Sequence, residues 1–339
     1  MLEEIPGFEV IGCACDGEEG LRKVFDLKPD LVTLDLEMPR LDGFTFLRMV
    51  MQNQPTPVVV VSARSEDESV FKALELGAVE FVAKPSGRVS PELFNIRGDL
   101  VRKVREISRM DMNKVLSRFA VKSRLSVCPR GRTRIFRAGA GEKNITQVVM
   151  GSSTGGPPAL QTIFSAIQQS VPVGFAISQH MPSGFTKAFA ERLNKFCALE
   201  IREARSGDLM RQGRVLVAPG GKNLVFRRRG SEVVAHVVEP AADQRYIPSI
   251  DTMFASASEI FGAKLLGVVL TGMGKDGAQG AKNIVEHGGQ VIAEAEGTSV
   301  VFGMPKETIA TGKVNKVVPL PFMCDEILRR CGLLKTCQV

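Results

Sequence analysis

The 339-residue chain has no tryptophan, one tyrosine and only three histidines, which leaves few positions where a general base could stand. Its seven cysteines form an odd set without a Cys-x-x-Cys pair, the nearest spacing being Cys13 and Cys15. That excludes a disulfide or zinc framework and points to a reducing cytosol. No apolar run approaches the roughly 18 residues that a membrane helix needs, and no charged-then-apolar leader opens the chain. The expectation is a soluble, unprocessed, cytoplasmic protein without membrane insertion. No internal period recurs, so neither half is a solenoid. Basic residues give a net charge of +7. The excess gathers between Arg97 and Lys143 and in Arg227-Arg228-Arg229, without interleaved aromatics. A solvated linker, or a face for an acidic protein, accounts for it, and no nucleic-acid partner is expected.

What is present is an ordinary globular composition, 44% apolar and 24% charged, in a chain long enough for two cored domains. From Phe8 short β-rich runs alternate with helical patterns: FEVIGCA, GEEGLRKVFDL, DLVTLDL, FTFLRMVMQ, PVVVVSA, EDESVFKALELG, VEFVAK and PELFNIRGDLVRKVREISRM. Such alternation predicts a parallel sheet with helices on both faces, and functional groups in these sheets lie outside the carboxyl ends of the strands. Asp35, Ser62 and Lys84 occupy those ends. A carboxylate can attack a phosphoryl group there, while the hydroxyl and the lysine hold its oxygens. Each alone is more often a turn residue or a solvated charge; the ordered trio is what carries the argument.

LVTLDLEMPRLDG, with Ser62-Ala63 and Lys84-Pro85, resembles a response-regulator receiver domain over residues 1–107. The resemblance implies Asp35 as phosphoacceptor and Ser62, Phe81 and Lys84 as the switch residues. It also implies a Mg2+ ion shared by Asp35 and the backbone carbonyl of Glu37, oxygen ligands suited to a hard cation. Receivers open with a strand ending in two acidic residues that complete the metal site. No such strand precedes Glu3 and Glu4 here, so the expectation is a flavodoxin-like receiver with its first strand missing and its magnesium site incomplete.

Residues 108–143 lose periodicity and read as a basic linker. From 144 to 339 a second α/β pattern follows, with strand candidates VPVGFAISQ, GRVLVAPG, EVVAHVV, LLGVVLTG and GQVIAEA. It begins with ITQVVM, GSSTGGPP and ALQTI, a strand, a glycine-rich turn and a helix. Gly151-Ser152-Ser153-Thr154-Gly155 fits the G-x-S-x-G nucleophile elbow with Ser153 at its centre. Such turns also open dinucleotide and phosphate sites, and many bind nothing. A nucleotide-binding effector therefore stands as the alternative, although Ser170-Val171-Pro172 lies where its ribose-binding acid belongs.

A serine esterase needs a base. His236 lies inside the strand EVVAHVV, and His287 precedes Gly288-Gly289 at a helix end, where the helix dipole explains it. His180 closes the strand VPVGFAISQ on the same rim as Ser153, which makes it the base. For the orienting acid, Asp276 in LTGMGKDG is preferred to Asp251 in IPSIDTMF, because Asp251 is explained by a helix start beside Ser249. The order Ser153, His180, Asp276 matches none of the familiar serine-hydrolase orders.

GSSTGGP, SQHMPSGFT, VAPGGKN, PSIDTMF, LTGMGKDGA and VFGMPK, in that order, resemble the catalytic domain of chemotaxis protein-glutamate methylesterases. The resemblance implies Ser153 as nucleophile, His180 as base and Asp276 as orienting acid. It places the oxyanion at backbone amides near Met273, with Thr154 adjoining the nucleophile. Methyl-accepting chemoreceptors would be the substrate, their methyl-glutamates hydrolysed and certain glutamines deamidated, without a cofactor for the esterase. A chemotaxis histidine kinase would be the phosphodonor, and phosphorylation of Asp35 would relieve a receiver covering the active-site crevice. The fold expectation is two doubly wound α/β domains, the second a parallel-sheet esterase domain.

Overall fold

The structure, a computed structural model, describes residues 2–3, 6–62, 67–84, 92–108 and 145–334. Nearly all of the linker expected at 108–143 lies outside them, as do Ala63 and Pro85. The chain divides into two compact units, Met1–Ala120 and Val121–Val339.

In the first unit, strands β1 (Val32–Asp35), β2 (Val58–Ser62) and β3 (Glu80–Ala83) form a parallel sheet in that order. Val58, Val59 and Val60 are fully buried, as a central strand covered on both faces requires. Burial of each such side chain stabilises the fold by about 1.5–3 kcal/mol before entropy is charged against it. Helices start where short acidic side chains can satisfy free amides. Asp16 accepts from the Glu18 and Glu19 amides to begin Gly17–Leu27, and Asp42 from those of Phe44 and Thr45 to begin Gly43–Asn53. Helices Asp67–Leu76 and Glu92–Ile107 complete the alternation.

The segment FEVIGCA does not form the strand that its β-branched residues suggest; residues 8–14 carry no regular structure. β1 has a ladder partner on the β2 side alone among the described strands, and residues 8–14 join no ladder. A strand needs a neighbour for its amides and carbonyls as much as it needs propensity.

The second unit is built on a seven-stranded, wholly parallel sheet. Its strands are β4 (Gln147–Ser152), β5 (Gly174–Gln179), β6 (Glu200–Glu203), β7 (Arg214–Val217), β10 (Leu265–Val269), β11 (Gln290–Glu294) and β12 (Lys316–Val318), in the order β12-β11-β10-β4-β5-β7-β6. β4 is central and every one of its residues is buried. β8 (Asn223–Arg229) and β9 (Glu232–Val238) stand apart as an antiparallel hairpin. Leu224, Phe226 and Ala235 of the hairpin join Ile250, Phe254 and Ala257 of helix Ile250–Phe261 in one core. EVVAHVV is therefore a strand, but outside the main sheet. β6, β8 and β12 were not foreseen, because they are short or interrupted by charge: EIRE, NLVFRRR and KVV.

Candidate active site

The chain order of the sheet puts the ends of β4, β5 and β10 side by side, since β4 pairs with both of the others. Ser153 follows β4, His180 follows β5, and Asp276 lies in the loop between β10 and helix Ala278–Glu286. These residues, distant in sequence, share one rim because parallel strands deliver their carboxyl ends to the same side of the sheet.

The two adjacent serines are separated by burial. Ser152 is 0% exposed and its hydroxyl donates to Gln179 Oε1 at 2.6 Å. Ser153 is 7% exposed, and its hydroxyl has no hydrogen-bond partner among the described residues. Its backbone is fixed: the Ser153 amide donates to Thr271 O at 3.0 Å, and Gln179 Nε2 donates to Ser153 O at 2.9 Å. In the usual elbow the serine itself carries the strained backbone. Here Ser153 has ordinary φ, and the left-handed residue of the turn is Gly155, at φ 75°.

His180 Nε2 and Asp276 Oδ2 are 2.8 Å apart. Asp276 also accepts from the Ile250 amide at 2.8 Å, the Asp251 amide at 2.9 Å and the Ser249 hydroxyl at 3.3 Å. Burial pulls its carboxyl upward, yet the hydrogen bond and charge of His180 and the two amides outweigh that effect and hold the pKa below the ordinary value. An ionised Asp276 fixes Nε2 as the protonated nitrogen. Nδ1, buried and without a partner among the described residues, is then the free base. This is the reverse of the familiar triad, in which the acid holds Nδ1.

The loop after β10 closes on the nucleophile. A Cβ on Gly272 would lie 2.7 Å from Ser153 Cβ, so only glycine permits the approach. Thr271 is tied on three sides: its amide donates to the buried Glu294 carboxylate at 2.9 Å, its hydroxyl to Thr154 O at 3.0 Å, and its Oγ1 accepts from the Val301 amide at 3.0 Å. Thr154 and Met273 flank this junction, and their backbone amides have no partner among the described residues. Two fixed, free N–H groups beside a serine are what a developing oxyanion needs.

Asp251 sits in the first turn of helix Ile250–Phe261 but serves the next helix. Its Oδ1 accepts from the Gly277 amide at 2.9 Å and the Gly280 amide at 2.6 Å, at the start of Ala278–Glu286. Burial, joined by repulsion from Asp276 and opposed by those amides, pushes its carboxyl up to about 6. His236 is half-buried on β9 opposite Val225. His287 caps helix Ala278–Glu286, its Nδ1 2.8 Å from Asn283 O. Tyr246 escaped the sequence argument, although it is the single tyrosine: its ring stacks on His180 at 5.2 Å between centroids and 8° between planes.

In the first unit, Lys84 Nζ is ion-paired with Asp35 Oδ2, and the Lys84 amide donates to Ser62 O at 2.7 Å, so the trio shares one end of the sheet. Phe81 is buried, with Lys103 Nζ 5.2 Å from its ring centroid and donating to Phe81 O at 2.7 Å. Asp35 Oδ1 accepts from the Glu37 amide at 3.2 Å. No group of three or more potential metal ligands occurs among the described residues. Asp35 and the Glu37 carbonyl would supply part of the near-octahedral oxygen shell that a magnesium ion takes.

Two family patterns match. The CheB methylesterase pattern covers residues 148–327, and the response regulator receiver domain pattern covers residues 1–91. Protein-glutamate methylesterase/protein-glutamine glutaminase 3 of Geobacter sulfurreducens is 56% identical over 346 residues, covering 98% of this chain and 93% of that protein. Protein-glutamate methylesterase/protein-glutamine glutaminase 1 of Myxococcus xanthus is 46% identical over 320 residues, covering 94% of this chain and 89% of its own length. Among solved structures, the Thermotoga maritima CheB methylesterase catalytic domain superposes with a TM-score of 0.53 at 38% identity, over 54% of this chain and 97% of that one.

Proposed function

The chain belongs to the CheB methylesterase family and carries a response-regulator receiver domain, and from that premise we propose how its residues perform the family's reaction. It is a chemotaxis response regulator with protein-glutamate methylesterase and protein-glutamine glutaminase activity. Ser153 Oγ attacks the side-chain carbonyl carbon of a methyl-glutamate or glutamine, and its proton passes to His180 Nδ1. The carbonyl electrons move to oxygen, which faces the Thr154 and Met273 amides. As the C–O or C–N bond breaks, the same proton leaves on methanol or ammonia. Water then attacks the acyl-serine, with His180 again taking and returning the proton. Asp276 stays ionised throughout and holds the imidazolium.

The observation that carries this reading is the His180–Asp276 contact of 2.8 Å beside a serine whose hydroxyl is uncommitted. Methanol release from methylated receptor membranes tests it. His180→Ala and Ser153→Ala must each abolish release, and survival of either would overturn it.

The regulatory reading rests on the Asp35–Lys84 pair at the sheet end, where a phosphoryl group on Asp35 would find the lysine waiting. We infer that Asp35 is the phosphoacceptor, that Ser62 and Phe81 report its state, and that phosphorylation relieves inhibition of the esterase. Methyl-accepting chemoreceptors are the substrates and a chemotaxis histidine kinase is the phosphodonor. The working boundaries are residues 1–107 for the receiver, 108–143 for the linker and 144–339 for the esterase. No helix among the described residues is long and apolar enough to cross a membrane, and the cytoplasmic setting is inferred from the family alone.

A further inference from the structure

A hydrogen bond to one ring nitrogen fixes a direction, not a plane. His180 is held by Asp276 at Nε2, while Nδ1 has no partner among the described residues. The imidazole is therefore free, as far as hydrogen bonds go, to swing about the Nε2···Oδ2 axis, and that swing would move Nδ1 relative to the end of β4, where Ser153 stands. What opposes it is Tyr246, whose ring lies nearly parallel to the imidazole, at 8° and 5.2 Å.

Tyr246 is itself anchored. Its carbonyl accepts from Gln244 Nε2 at 2.6 Å, and Gln244 forms a reciprocal amide pair with Asn223 at 2.7 and 3.0 Å. Asn223 Oδ1 also accepts from the Ser249 amide at 2.8 Å, and the Ser249 hydroxyl donates to Asp276. The segment carrying the stacked ring is thus tied to the acid that holds the other end of the imidazole. On its far edge the phenol fills the space of an absent side chain: a Cβ on Gly274, which has φ +84°, would stand 2.2 Å from Tyr246 Oη. Gly274, in the loop bearing Met273 and Asp276, thus packs against the tyrosine.

We propose that Tyr246 is a positioning residue for the reaction: its ring face locks the plane of His180 so that Nδ1 stays aimed at Ser153, and its edge fixes the Met273–Asp276 loop. When the imidazole becomes an imidazolium during turnover, the π face also stabilises the positive charge. The proposal rests on His180 being the base. The ring, not the hydroxyl, does the positioning, since Tyr246 Oη has no hydrogen-bond partner among the described residues.

The test compares full-length wild type, Tyr246→Phe, Tyr246→Leu and His180→Ala for methanol release from methylated receptor membranes. Removing the ring should lower kcat by about 10- to 100-fold with KM within about threefold, the scale expected when a catalytic group is misplaced by about 1 Å. Tyr246→Phe should recover kcat to within about threefold of wild type. A residue that merely supported the fold would not give this kcat-only loss with rescue by the bare ring. Wild-type kcat in Tyr246→Leu, or Tyr246→Phe as slow as Tyr246→Leu, would overturn the proposal. Should the leucine variant not fold, Tyr246→Asn takes its place at this half-buried position under the same criteria.

A second readout needs no turnover. Tyr246 is the only tyrosine and there is no tryptophan, so tyrosine emission and its near-ultraviolet dichroism report this ring alone. His180→Ala should change both, and unchanged spectra would overturn the stack. A fully active His180→Ala would overturn the base assignment and the proposal together. An inactive His180→Ala beside an unaffected Tyr246→Leu would overturn the proposal alone.

Discussion

Ser152 ends β4 and Ser153 opens the turn after it, and the two differ in everything that matters for chemistry. Ser152 is sealed against Gln179, whereas Ser153 stands at the rim. Ser153→Ala should lose several powers of ten in rate, as loss of a nucleophile from a cooperating triad does. Ser152→Ala should retain most of the rate in the folded fraction and lose about 1 kcal/mol of stability with its buried hydrogen bond. Methanol release and thermal unfolding on the same preparations separate the two, and the reverse ranking would refute the assignment. At Asp276 the tautomer is at stake: Asp276→Asn keeps the shape but favours the wrong ring nitrogen, and a loss on the order of 10⁴ in kcat is expected. A variant as fast as wild type would show that the ionised carboxylate is not what orients His180.

At the scale of elements, Asp251 joins the start of one helix to the start of the next, through the amides of Gly277 and Gly280. Its pKa, raised from 3.8 to about 6, means that the folded chain holds this proton more tightly than the unfolded chain. Stability therefore falls as pH rises from about 4 to about 6 and stays at the lower level above that window. Asparagine keeps the acceptor oxygen and cannot ionise. Asp251→Asn should be at least as stable as wild type at pH 7.5 and should lack the decline between pH 4 and 6 in denaturant titrations. Marked destabilisation at pH 7.5 with the decline intact would show that the two amides require the charged carboxylate. The Asp276 shift has the opposite sign, so the stability it confers is present above the ordinary carboxylate range and lost only in stronger acid.

For the whole molecule, the question is whether the first unit restrains the second. The seven-stranded sheet has its own core, with β4, β5 and β10 wholly buried, and needs no strand from the receiver. A fragment of residues 144–339 should therefore fold alone, with a cooperative thermal transition, and release methanol several-fold faster than the unphosphorylated full chain. Equal rates per folded molecule would argue that the receiver imposes no inhibition.

Much of this was legible in the linear sequence. The alternation of apolar strands with helical patterns determined two α/β units, since each element must bury one face or stripe. The ends of apolar runs marked where Ser153, His180, Asp276, Asp35 and Lys84 stand, because parallel sheets present function at their carboxyl ends. The tertiary structure alone decided what depends on contacts between distant segments. FEVIGCA has strand propensity but no ladder, and NLVFRRR forms β8 because EVVAHVV supplies its partner. Asp251 looked like a helix-start residue and is one, yet its carboxylate serves amides brought to it by the fold. The imidazole nitrogen left free for the base, and the tyrosine face that holds it, have no sequence pattern. They are fixed by distances between side chains that only the folded chain sets.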